Sequence, residues 1–152
     1  MKKLLLFAFL FLSLSPASFA MSLEELDQYF TIETNRFGRS LERSMAKHDV
    51  RVTYFAECDH QKKEFIMSMV FDKDFFKNIG GKEIKKAKTT TLEEWSQSYK
   101  TNPQFKDMVD TVKGMGGYFK IIYSYNKGGN KLKSKTVKIT PDEIIKFKMK
   151  KK

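Results

Sequence analysis

Cysteine, histidine and proline are all scarce in this chain. Cys58 is the single cysteine among 152 residues, so no disulfide can form within one molecule. Any fold must then rest on its core. His48 and His60 are the two histidines, too few to make a zinc set of four ligands at a recognisable spacing. Gly80-Gly81-Lys82 lacks the spacing of a phosphate-cradling loop, and Gly114 to Gly117 lead into a strand instead of a helix. The carboxylate pairs Glu24-Glu25, Glu93-Glu94 and Asp142-Glu143 all fall in predicted first helical turns, where they complement the helix dipole. No nucleophile, base and orienting group can be assembled from the remainder, so the chain reads as non-enzymatic, with no cofactor.

Acid is the other scarcity, and it is local. Residues 127–152 hold ten basic and two acidic residues. Residues 21–48 hold four and five, and residues 49–126 hold 13 and 11. Most of the net charge of +11 therefore sits in the last stretch, which points to an anionic partner.

The first twenty residues have the form of a secretory signal peptide. Lys2 and Lys3 precede an apolar run from Leu4 to Leu14, Pro16 breaks it, and Ser18-Phe19-Ala20 offers small residues for a cut before Met21. The run is too short for a membrane span, and no cysteine stands at the cut to take a lipid. The expected product is a soluble periplasmic or secreted protein of residues 21–152, a single domain with a basic tail from about residue 146.

Three capping boxes punctuate that product: Ser22 with Glu25, Thr91 with Glu94, and Thr140 with Glu143. Leu23, Leu26, Phe30, Phe37, Leu41 and Met45 form one stripe, which predicts a long helix from Leu23 to about Lys47. Gly38 interrupts it and marks a kink or a close contact. Period-two alternation predicts strands over 50–57 and 64–71, with Phe65, Met67, Met69 and Phe71 on one face. Asp72 opens a short helix carrying Phe75, Phe76 and Ile79. Residues 82–90 read as an exposed loop or weak edge strand. A helix follows from Thr91 with Leu92, Trp95 and Tyr99 inward, and another from Pro103 with Phe105, Met108, Val109 and Val112.

The chain then enters a second hairpin, residues 116–140. Phe119, Ile121, Tyr123 and Tyr125 share one face of its first strand, with Tyr118, Lys120, Ile122 and Ser124 on the other. Asn126 to Asn130 supply the turn. On the return strand Val137 and Ile139 continue the apolar face, preceded on the same side by Lys131, Lys133 and Lys135. A brief helix after Pro141 completes an α+β domain: an antiparallel sheet of two β-hairpins, with a long N-terminal helix and several short helices packed around it. The layout resembles cystatin-type and nuclear-transport-factor-type cones in architecture alone, which carries no function.

The expected function is an exported binding protein, of adaptor, accessory or inhibitor type, that engages an acidic protein surface or an anionic envelope lipid or polymer. Nucleic acid is not the expected partner outside the cytoplasm. Lys127, Lys131, Lys133 and Lys135 would bind, with Tyr123 and Tyr125 as aromatic surface beside them. The alternative is a pocket between the first helix and the sheet, for a small apolar ligand or a soft metal such as Cu(I). Met67, Met69, Cys58 and His60, with Met45, would supply soft ligands, although the two methionines share a strand face with phenylalanines and read more simply as core. Cys58 with His60 is also the one pair that offers a thiol beside a base.

Overall fold

The computed structural model describes residues 20–72, 81–126 and 132–148. The signal-peptide run, the short helix carrying Phe75, Phe76 and Ile79, the hairpin turn with Lys127 and Lys131, and the tail beyond Lys148 lie outside them.

Helix α1 spans Leu23–Ala46. Its start is fixed locally: the Ser22 side chain accepts from the Glu25 amide at 3.2 Å while the Ser22 amide donates to the Glu25 carboxylate at 2.8 Å. Leu26, Tyr29, Phe30, Glu33, Thr34 and Gly38 are its buried residues, whereas Leu23 stays exposed in the first turn. No kink is needed to explain Gly38. A Cβ there would stand 2.2 Å from the base of the Tyr54 ring, so the glycine lets α1 settle onto the sheet.

Strands β1 (Val52–Asp59) and β2 (Glu64–Phe71) form the first hairpin, antiparallel and paired along their full length. Strands β3 (Tyr118–Asn126) and β4 (Leu132–Ile139) form the second. The two meet through β2 and β3, and that pair is parallel. The sheet of order β1-β2-β3-β4 is therefore mixed, though mostly antiparallel. The reason is the connection: the chain leaves one end of β2 and crosses over through two helices before re-entering beside it, and such a crossover yields parallel neighbours.

Those two helices are α2 (Gly81–Thr101) and α3 (Pro103–Gly114). Residues 82–90 are thus helix, not loop or strand, and Thr91 does not cap. The Thr91 hydroxyl instead donates to the Ala87 carbonyl at 2.9 Å, and that of Thr89 to Lys85 at 3.0 Å. Ile84, Ala87, Thr91 and Trp95 make one continuous stripe in which a buried threonine fills an apolar place. Packing against β4 and the last helix overrides the weak propensity of three consecutive threonines. Asn102 caps α3, accepting from the Phe105 amide at 3.2 Å, with Pro103 in the first turn.

Helix α4 (Pro141–Lys146) opens on the Thr140–Glu143 capping box. The core lies between the sheet's inner face and the helices, around edge-to-face contacts of Trp95 with Phe119 (5.3 Å) and Phe105 (6.0 Å), and of Phe30 with Phe65 (5.7 Å). No helix among the described residues is long and apolar enough to cross a membrane.

Candidate functional site

The lysine-bearing end of the sheet has a different composition from the one expected. Lys133 and Lys135 are exposed on β4, where they pair across the strand with Tyr125 and Tyr123. Both tyrosines are buried, so they belong to the core and supply no aromatic surface. Burial, with the Glu94 carboxylate adding to it, pushes the Tyr123 phenol up to about 12. Thr91 and Glu94 of α2 lie against Tyr123, and Ile84, ahead of them on the same helix, packs against the core. Beginning at Gly81 instead of Thr91, the helix reaches about 15 Å further at 1.5 Å per residue.

That extension adds charge as well as cover. Trp95 stacks edge-on against Phe119 and Thr91 bonds Tyr123, so α2 runs antiparallel to β3 and its first half lies toward the β3–β4 tip. Lys82, Lys85 and Lys86 are exposed on that half. The helix that carries them, with Glu83 among them, packs against β4, the strand on which Lys133 and Lys135 are exposed. Leu132, 63% exposed, precedes Lys133 on β4 and points to the sheet's other face. Lysines two apart on a strand lie about 7 Å apart, where like charges in water repel by about 0.6 kcal/mol before salt screening. An anionic partner relieves that repulsion. The sequence did contain the signal, a Lys-rich stretch with apolar residues three apart at Ile84 and Ala87, but two apolar positions are too few to identify a helix. Lys138 points to the sheet's other face, its ammonium 3.7 Å above the Tyr118 ring.

A second feature lies between the helices. Helices α1 and α2 run antiparallel over the sheet and leave a cleft of about 540 Å³, floored by Met67 and Trp95. Phe37, Leu41 and Ser40 line one wall, and Glu94 and Ser98 the other. Glu33, buried at its base end, accepts from Arg36 at 2.6 Å. Burial, with Glu33 beside it, pushes the Tyr29 phenol up to about 12, and Asn102 donates to that phenol oxygen at 3.2 Å.

The soft-ligand set does not converge. Cys58 stands opposite Phe65, whereas Met69 stands opposite Tyr54. These positions are four residues apart along the strand, about 13 Å at 3.3 Å per residue, so one ion cannot hold both. Met67 and Met69 are buried in the core. His60 engages Asp27 through Nε2 at 2.9 Å. Burial, reinforced by Asp27 and Glu57, pushes the Cys58 thiol up to about 12, the opposite of what a nucleophile needs. Among the described residues, no group of three or more His, Cys, Asp or Glu side chains is placed to hold a metal ion.

A scan against protein-family models found no match, and neither the curated proteins nor the solved structures gave one.

Proposed function

We propose that this chain is an exported binding protein whose lysine-rich end docks on an acidic protein surface. The observation that carries the reading is the packing of α2, with Lys82, Lys85 and Lys86 exposed, against β4, with Lys133 and Lys135 exposed, two elements far apart in sequence. The exposed Leu132 opens the same strand on the sheet's other face and gives a protein partner that reaches round its end an apolar contact. The scaffold beneath is a packed sheet, so the lysines are presented on rigid elements. The test is photo-crosslinking in the native cell from position 135, with position 61 at the opposite end of the sheet as control. A single protein adduct from position 135 alone supports the reading. Lipid adducts, or the same adducts from both positions, refute it.

The cleft between α1 and α2 favours a second reading, a pocket for a small ligand with an apolar body that reaches Met67 and Trp95. Native mass spectrometry of freshly purified protein decides it: a retained small molecule supports a pocket, and a bare mass counts against one.

A further inference from the structure

The two edges of the sheet are built differently. Strand β4 carries Lys133, Lys135 and Lys138, the charged residues by which natural edges discourage pairing. Strand β1 reads Val-Thr-Tyr-Phe-Ala-Glu-Cys-Asp, with no lysine and no proline. Its pairing with β2 runs without a bulge from Val52 to Asp59. Arg51 extends that line: its carbonyl accepts from the Asp72 amide at 3.1 Å and its amide donates to the Asp72 carboxylate at 2.9 Å. At the centre, on the sheet face away from the helices, Phe55 is 49% exposed.

We propose that β1 is a docking edge, taken by β1 of a second copy of this chain in antiparallel pairing about a two-fold axis at Phe55. The sequence of the strand is self-complementary in that register. On the outer face Phe55 meets the partner's Phe55, Thr53 meets the partner's Glu57, and Arg51 meets the partner's Asp59. Opposite charges therefore sit at both ends of the paired run, with an aromatic pair at its middle, and each such cross-strand pair favours the register. A slip of one residue would set inner against outer faces. Centring on Tyr54 or Ala56 keeps the faces but shortens the paired run. Asp59 also accepts from the Lys62 amide and ammonium, both at 3.0 Å, and a carboxylate has room for a further donor. The result is one eight-stranded sheet with a β4 edge at each end, so both lysine clusters stay open. A self-matching surface is what a closed two-fold dimer requires.

Sedimentation equilibrium of the mature chain tests this. The expected result is a monomer–dimer equilibrium, weakened at least tenfold by Phe55→Lys, with the circular dichroism spectrum unchanged. A register test runs beside it. Phe55→Cys in a Cys58→Ser background should oxidise to a disulfide dimer, because directly opposed residues place their Cα atoms about 4.5–5.5 Å apart. Thr136→Cys on β4 in the same background should not. A wild-type chain that stays monomeric to about 1 mM, a dimer indifferent to Phe55→Lys, or equal oxidation at position 136 overturns the proposal.

Discussion

Replacing Gly38 by alanine sets two effects of opposite sign against each other. In an exposed helix the change stabilises by about 1 kcal/mol, because alanine loses less backbone entropy. Here the new methyl would lie 2.2–2.5 Å from three atoms of the Tyr54 ring, including the one nearest its backbone. The base of a ring cannot swing aside, so α1 or β1 must move by an ångström or more. Overpacking of that kind costs about 1–3 kcal/mol. The net expectation is a loss of up to about 2 kcal/mol, roughly 3–8 °C in Tm for a domain of this size. Urea unfolding followed by Trp95 fluorescence measures it. The sharper form is a cycle with Tyr54→Ala, which removes the obstructing ring. In that background Gly38→Ala should change sign and stabilise by up to about 1 kcal/mol. If Gly38→Ala stabilises the wild-type chain, or if its effect is the same with and without the ring, the close approach of α1 to β1 is wrong.

Other expectations follow from the thiol and the last helix. With Cys58 at about 12, its thiolate fraction at pH 8 is about 2,000-fold below that of a free thiol near 8.5. Greater intrinsic nucleophilicity offsets part of this, leaving alkylation roughly 50- to 100-fold slow in the folded state and normal in urea. Equal rates in both would contradict the burial. At Glu143 burial opposes ionisation, but Lys88 at 2.6 Å and the Thr140 amide at 2.8 Å outweigh it and hold the carboxyl below its usual range. A depressed carboxyl stabilises the fold above its unfolded value, about 4.3, and loses that contribution as pH falls through the folded value. Lys88→Met should therefore lower the urea midpoint at pH 7 and lower it less at pH 3. An equal loss at both pH values would show that the ion pair is not responsible.

What was legible in the sequence was what is decided locally. The Ser22–Glu25 and Thr140–Glu143 boxes, the helix start at Pro103 and the faces of β2 and β3 all rest on neighbours within a few residues, and all are found. The Thr91 box failed because its motif is indifferent to what precedes it; only packing against β4 and α4 makes residues 81–90 helical. Tyr123 and Tyr125 stand on the inner face as the alternation predicts, and packing that joins residues distant in sequence, such as Thr91 with Tyr123, buries them there. The parallel β2–β3 junction was equally hidden, since hairpins announce their own pairing and say nothing of how two of them meet. For the candidate site, the lysines of β4 were visible as a charge run, whereas those of α2 became part of it only in three dimensions.

That convergence is the central claim, and one measurement addresses it directly. The photo-crosslinker at position 135 is compared in the native cell between the otherwise unaltered chain and one carrying Lys85→Glu and Lys86→Glu. If the two elements form one docking surface, the protein adduct disappears from the charge-reversed chain while its Tm stays within a few degrees. An adduct that persists at full strength would show that α2 takes no part, and the proposed surface would fall.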